Sequence, residues 1–189
     1  MEYAATRVET TAAASFLLLL VLALAWSGAA PAAEPNCPFA GKRPPLEEIL
    51  KVGSSHRSSL CKADLTGTNL ARTDLSRTNL AGANLKGTNL PEADLTGADL
   101  AGATLKGANL AGANLKGTNL TGTDLSGTNL AGANLTGTHL TGADLTGANL
   151  GAADLRQTSL TGVKGLTCDQ VHAAKRDRPT KLPDMVTCD

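Results

Sequence analysis

The chain has 189 residues, 17 basic and 17 acidic side chains, and an aromatic content of only 2%. The zero formal charge argues against a protein whose overall field draws it to nucleic acid or to an anionic membrane. The low aromatic content excludes an ordinary globular core, because Phe, Tyr and Trp supply much of the buried area in such cores. Any core of this chain is therefore built from small and aliphatic side chains.

The first 32 residues have the pattern of a secretory signal peptide. An uninterrupted apolar run covers residues 12–26, which is too short to span a bilayer comfortably, and small residues with an A-x-A site at 30–32 follow it. We expect cleavage near Ala32 and an exported chain without stable membrane insertion, in the medium, the periplasm or, in a photosynthetic organism, the thylakoid lumen. Because Glu2 and Glu9 offset Arg7 before the apolar run, an uncleaved anchor remains the alternative.

Residues 33–57 predict a cap that covers one end of the structure that follows. The prolines at 44 and 45 suit the start of a helix, and Leu46, Ile49 and Leu50 have the i, i+3, i+4 spacing of one apolar helix face. We expect this helix to lie over the neighbouring core, with Phe39 packed beside it.

Leucine occupies every fifth position from 60 to 160, within a repeat that covers residues 58–162. On an α-helix five residues advance by roughly 500°, so these leucines would form no stripe. On a strand they would alternate between opposite faces. A chain that turns after every five residues points each leucine to a common axis, and glycine two positions after most leucines tolerates positive φ. Four such turns close a coil of about twenty residues, and successive coils stack at roughly 4.8 Å.

The five-residue units resemble those of a known family. The units A-D-L-T-G, A-N-L-K-G and T-N-L-A-G resemble the pentapeptide repeat family, written A(D/N)LxX. The resemblance implies an all-β fold, a right-handed quadrilateral β-helix, here of about five coils. An open β-helix exposes backbone groups and leucines at both ends, so we expect short helical caps there.

Residues 163–189 predict the C-terminal cap. They resemble a segment that often follows such repeats, a short helix and then a Leu-Pro stop. Thr167 and Gln170 have capping-box spacing, which predicts a helix from about residue 168 to residue 175.

Four cysteines form two pairs on either side of the repeat, Cys37 with Cys61 and Cys168 with Cys188. An even number of cysteines in an exported chain predicts disulfides. The two local pairings fit best, because a rigid repeat holds its ends apart. Each would close a loop of roughly 20 to 25 residues, worth about 3 kcal/mol in the chain-entropy model. A zinc site and free thiols remain the alternatives, although neither pair has C-x-x-C spacing.

The residue before each leucine is expected to point outward, and steps of twenty sort these residues into four columns. One column consists of asparagine alone, and we call it the asparagine column: Asn69, Asn89, Asn109, Asn129 and Asn149. Stacked amides roughly 5 Å apart can hydrogen-bond along such a column, which gives asparagine a structural role. The alternative is that this column is an interaction face.

The sequence lacks the residue patterns of common catalytic sites. His56, His139 and His172 are scattered, and no serine lies in a G-x-S-x-G elbow. The G-x-x-x-x-G spacing is a by-product of the repeat, without the Lys-Ser/Thr of a phosphate loop. We therefore expect a protein that is not an enzyme, with no catalytic, cofactor-binding or metal-binding residues.

These features favour a secreted scaffold or protein-interaction module, monomeric or dimeric, whose partner is a protein and not nucleic acid. One alternative is a surface-recognition protein for glycan or ice, because regular Asn or Thr on a flat face can match a periodic surface. Another is a DNA mimic, since some proteins of this family resemble B-form DNA and inhibit gyrase. Those proteins act in the cytoplasm with strongly acidic surfaces, whereas this chain has an export signal and balanced charge.

Overall fold

The structure is a computed structural model that describes residues 37–51, 59–177 and 180–183. The predicted signal peptide, residues 1–32, lies outside the described residues, as do His56 and Cys188. Both predicted helices are present: α1 spans Leu46–Lys51 and α2 spans Cys168–Ala173. No helix of the described residues is long and apolar enough to cross a membrane.

The repeat winds into four-sided coils of twenty residues. Parallel bridges join outward residues twenty positions apart, beginning with Ser59 and Asn79 and reaching His139 and Ser159 in the same column. Leu60 and Leu160 are one hundred residues apart, which at twenty residues per coil makes five coils. In the described chain each side of a coil contributes a single bridging residue and not an extended strand. The predicted coil length is therefore confirmed.

Each corner of a coil is a tight turn built on the residue two positions after leucine. The amide of Ala108 donates to the carbonyl of Leu105 at 2.8 Å, and Gly107 between them has φ +65°. This geometry is that of a type II β-turn, which requires positive φ at its third residue. Six non-glycine residues adopt the same conformation with φ of 54° to 59°: Lys62, Arg72, Arg77, Glu92, Ala152 and Gln157.

The core is a column of leucines lined by alanine and threonine. Every repeat leucine from Leu60 to Leu160 is at most 1% exposed. Five interior threonines donate their hydroxyls to a leucine carbonyl in the coil before, as Thr88 does to Leu65 at 2.9 Å. Thr138 instead donates to Leu135 in its own coil at 2.9 Å. Thr78 differs, because its hydroxyl is buried and has no hydrogen-bond partner among the described residues.

At the N-terminal end, a short segment and α1 lie against the first coil. Gly41 donates to the carbonyl of Lys62 at 2.7 Å, so this segment extends the backbone ladder by part of a coil. Ile49 is 1% exposed and belongs to the core, and Phe39 packs against that core. Leu46 and Leu50 are 51% and 54% exposed. The expected apolar helix face is thus only partly buried, because a helix of six residues can direct little more than one side chain into the narrow coil.

A disulfide joins this segment to the repeat. Cys37 and Cys61 are bonded, with their Cα atoms 5.1 Å apart, and both residues are buried. This is the pairing that the sequence predicts. The second predicted pairing, Cys168 with Cys188, involves a residue outside the described part of the chain and stays a prediction.

The repeat ends where Gly165 stands twenty positions after the core residue Leu145. Gly165 has φ +66°, and a Cβ there would lie 2.7 Å from the Cα of Thr146. Because no side chain fits this close approach, the leucine column stops and the chain leaves the coil.

Helix α2 begins at the predicted capping box and lies against the last coil. The Thr167 side chain accepts from the amide of Gln170, and the Gln170 side chain accepts from the amide of Thr167. The Nε2 of Gln170 also donates to the carbonyls of Leu145 at 2.9 Å and Ala148 at 2.8 Å, while Val171 is fully buried. The helix ends at Ala173, two residues before the predicted end.

After α2 the chain returns to the ladder. Leu155 donates to the carbonyl of Lys175 at 2.8 Å, and Leu160 donates to that of Lys181 at 2.8 Å. The Thr180 hydroxyl donates to the carbonyl of Leu155 at 3.0 Å, as five interior threonines of the repeat do to other leucines. Parts of the tail thus continue the coil although its sequence has left the period of five.

Candidate interaction faces

The asparagine column forms a continuous ladder of side-chain hydrogen bonds. The Nδ2 of each asparagine donates to the Oδ1 of the asparagine one coil earlier, at distances of 3.0, 3.0, 3.1 and 3.2 Å from Asn89 to Asn149. The structure therefore brings all five predicted residues into one column with the register that the sequence implies.

The amide oxygens of this ladder also close the turns. The Oδ1 of Asn109 accepts from the amide of Ala111 at 3.3 Å, and that of Asn149 accepts from Gly151 at 3.0 Å. Asn89 is an exception, because Pro91 has no amide hydrogen to donate. Where both donors reach it, the oxygen is saturated and the outward hydrogen-bonding capacity is one N–H of each Nδ2. The column can therefore present a row of donors to a partner, one per coil.

Aspartates in other columns hold turns in the same way. The Oδ1 of Asp144 accepts from the hydroxyl of Thr146 at 2.5 Å and from its amide at 2.9 Å. These bonds stabilise the charged form, so the pKa of Asp144 is lowered, chiefly by the Thr146 hydroxyl. The pKa of Asp64 is lowered in the same way by Thr66. These carboxylates have a structural role in the turns.

Charged side chains at the corners of the repeat are mostly basic, and two of the arginines form exposed ion pairs. Arg72 pairs with Glu92 one coil later at 2.9 Å, and both side chains are largely exposed. Arg156 pairs with Asp154 at 2.6 Å, and its guanidinium is the main cause that lowers the pKa of that carboxyl. Exposed pairs of this kind contribute little to stability.

The described part of the chain contains no cluster of metal-binding side chains. No group of three or more His, Cys, Asp or Glu residues there could hold a metal ion. His139 occupies an outward position of one column, and His172 lies exposed on α2.

The repeat itself decides the family. The model of pentapeptide repeats matches residues 56–90, 88–127 and 123–162, with 8 copies, which together cover more than half of the chain. The chain belongs to the pentapeptide repeat family. Proteins of this family fold as right-handed quadrilateral β-helices, and they are in general structural or interaction proteins.

Solved pentapeptide repeat proteins are similar to this one over part of its length. Rfr23 from the cyanobacterium Cyanothece is 32% identical, with a TM-score of 0.45, over 60% of this chain and 63% of its own. HetL from the cyanobacterium Nostoc, which is involved in heterocyst differentiation regulation, is 32% identical, with a TM-score of 0.30, over 56% and 63%. A protein from the thylakoid lumen of Arabidopsis thaliana is 29% identical, with a TM-score of 0.32, over 61% and 74%.

These matches cover only part of each protein. The chain spans 63% of the length of Rfr23 and of HetL. No curated protein matches the chain.

Sequence reasoning missed three outward residues of this pentapeptide repeat protein. Lys164, Lys175 and Lys181 continue the columns of Asp144, Asp154 and Ser159. Lys164 could have been found, because it lies twenty positions after Asp144. The other two lie at offsets of 21 and 22 residues after α2 has broken the period, so no sequence signal marks their place.

Proposed function

We propose that this pentapeptide repeat protein is a non-enzymatic scaffold or protein-interaction module that works outside the cytoplasm. The observation that carries the proposal is that outward side chains of the repeat are hydrogen-bonded within the β-helix itself. Asn109 and Asp144 are bound to turns and to neighbouring coils, as in a rigid frame, and not arranged as reacting groups. A rigid frame loses little conformational entropy when a partner binds to it.

The proposed interaction face is the asparagine column with the corner beside it. That face carries one amide donor per coil at mid-length, and the adjoining corner residues Ala111 and Ala131 are small and uncharged. A flat uncharged surface with regular donors suits a protein partner, which supplies carbonyl acceptors, better than it suits the phosphates of nucleic acid, which call for cations. The module acts as a monomer or a dimer.

We also propose a division of the chain into four parts. Residues 1–32 are a signal peptide, 33–57 an N-terminal cap, 58–162 the β-helix and 163–189 a C-terminal cap. The burial of Ile49 and Val171 and the bonds from Gln170 to two carbonyls of the last coil support the capping role of the helices. Export places the protein in the medium, the periplasm or the thylakoid lumen, and sequencing the N-terminus of the exported protein tests the cleavage site near Ala32.

The experiment that tests the function is crosslinking in the compartment where the protein resides, with one charge variant per corner at mid-length. The variants are Ala111→Arg beside the asparagine column, and Thr121→Arg, Lys106→Glu and Lys116→Glu at the other corners. We expect the crosslinked partner to be lost with Ala111→Arg and retained with Thr121→Arg. Retention of the same partner by all four variants would rule out these faces as its binding site.

A second candidate function is recognition of a periodic surface, ice or glycan. Thr121, Thr141 and Thr161 are all exposed and lie one coil apart at one corner. Such a row could match a regular array of hydroxyls or water sites. Thermal hysteresis and binding to a glycan array test this directly, and Thr141→Lys should abolish either effect while leaving the crosslinked partner unchanged.

A further inference from the structure

The last coil of the β-helix differs from all earlier coils in its outward residues. Lys164, Lys175 and Lys181 end three of the four columns, each joined by a parallel bridge to a residue of the coil before. From residue 59 to residue 159 these outward positions hold only Asn, Asp, Ser, Thr or His. We call the three lysines the lysine rim.

The lysine rim lies on the edge of the backbone ladder. The carbonyl of Lys164 accepts from the amide of Leu145 at 2.9 Å, in the coil before, as outward residues do throughout the repeat. Within the described residues, no rim lysine is bridged to a later coil. An edge of this kind is a template on which another chain can pair, and lysine is one of the residues that proteins place there to prevent it.

The fourth side of this end is covered in another way. The asparagine column stops at Asn149, and α2 lies where its next member would be. Gln170 donates to the carbonyls of Leu145 and Ala148. A side-chain amide thus occupies acceptors that a further coil would use, and all four sides of the C-terminal end are closed, three by lysine and one by the helix.

The rim lysines are exposed at the outermost positions of their columns. Asp144 and Asp154, one coil earlier, interact electrostatically with Lys164 and Lys175, but both carboxylates also have partners closer at hand. Asp154 pairs with Arg156 at 2.6 Å. The carboxylate of Asp177 accepts from the amide of Gln157 at 3.1 Å and from the Thr180 hydroxyl at 2.9 Å.

The opposite end of the β-helix carries three basic side chains where a second copy would have to dock. Lys42, Arg43 and Lys62 are exposed beside the first coil, and α1 at the same end adds the acidic Glu47 and Glu48. A second copy that stacked this end on the lysine rim would bring amines and guanidinium groups together, which is unfavourable for like charges at close range.

We propose that the lysine rim prevents a second copy of this chain from continuing the β-helix end to end. The flat faces stay available while the end is closed to self-pairing by positive charge. The inference does not depend on the proposed function, because it concerns the end of the coil and not its faces.

The test compares two triple variants of the protein as isolated from its producing cells. The rim variant carries Lys164→Asn, Lys175→Asn and Lys181→Asn. The control carries Lys86→Asn, Lys106→Asn and Lys116→Asn, three exposed corner lysines of the sides, with the same change in net charge. Sedimentation velocity over a concentration series measures the mass, and negative-stain electron microscopy measures the particle length.

We expect the rim variant to associate to roughly two or more chain masses and to form longer rods, while wild type and control keep the wild-type mass. Circular dichroism establishes that each variant is folded. A folded rim variant with the mass of the control would overturn the proposal, and so would equal association of both variants, because that would assign the effect to net charge alone. If the rim variant does not fold, sedimentation velocity of the wild-type protein in high salt tests the proposal instead. Salt screens the charges of the rim and should promote end-to-end association, so an unchanged mass in high salt would refute the proposal.

Discussion

Two interior threonines should respond in opposite directions to the same substitution. Thr88 is fully buried, and its hydroxyl donates to the carbonyl of Leu65 at 2.9 Å. Thr78 is 2% exposed, and within the described part of the chain its hydroxyl has no hydrogen-bond partner. Replacement by valine keeps the shape of the side chain and removes only the hydroxyl, so the two variants isolate one hydrogen bond in the same kind of site.

The magnitudes follow from the state of each hydroxyl. Thr88→Val removes a hydrogen bond between buried groups, which is worth about 0.5–1.5 kcal/mol. The carbonyl of Leu65 then keeps only the hydrogen bond that it accepts from the amide of Thr68. Thr78→Val relieves a buried unsatisfied group, whose burial costs about 1–3 kcal/mol. We therefore expect Thr88→Val to lower the free energy of unfolding, Thr78→Val to raise it, and the two to differ by about 1.5–4.5 kcal/mol.

Thermal and urea unfolding of the disulfide-bonded protein measure this difference. A change of 1 kcal/mol corresponds to about 2–4 °C in melting temperature for a chain of this size, so the two melting temperatures should differ clearly. The m-value should stay the same in both variants, which would show that the unfolded surface has not changed. Equal destabilisation by both substitutions would refute the assignment of Thr78 as unsatisfied.

Three further predictions test the turns, the charges and the coil length. Gly165→Ala should lower the melting temperature more than Gly147→Ala, because both have positive φ but only at Gly165 would a Cβ lie within 2.7 Å of a backbone atom; equal losses would contradict the close approach. The lowered pKa of Asp144 adds stability that is present above its unfolded value of 3.8 and lost as the pH falls through the folded pKa. Asp144→Asn should therefore make the melting temperature less dependent on pH between about pH 4 and pH 2. The double variant Asn89→Asp and Asn109→Asp should lower the free energy of unfolding, measured in urea, by about 0.2–1 kcal/mol more than the sum of the two single variants. This excess should shrink in high salt.

The sequence alone determined the coil, because its five-residue period is a local property that every unit repeats. Leu110 points inward for the same reason as Leu90 and Leu130, and twenty residues close a turn of the chain whichever coil is considered. The capping box of Thr167 and Gln170 could also be predicted from spacing, since its two hydrogen bonds join residues three apart.

The tertiary structure decided what happens where the period stops. Leu46 and Leu50 have the spacing of a buried face but stay exposed, because the coil end accommodates Ile49. Lys175 and Lys181 join the columns only because α2 returns the chain to the edge of the ladder. Backbone hydrogen bonds set the register of each coil against the coil before. Where the five-residue period breaks, the sequence no longer marks which residues align, but these bonds continue to align the chain.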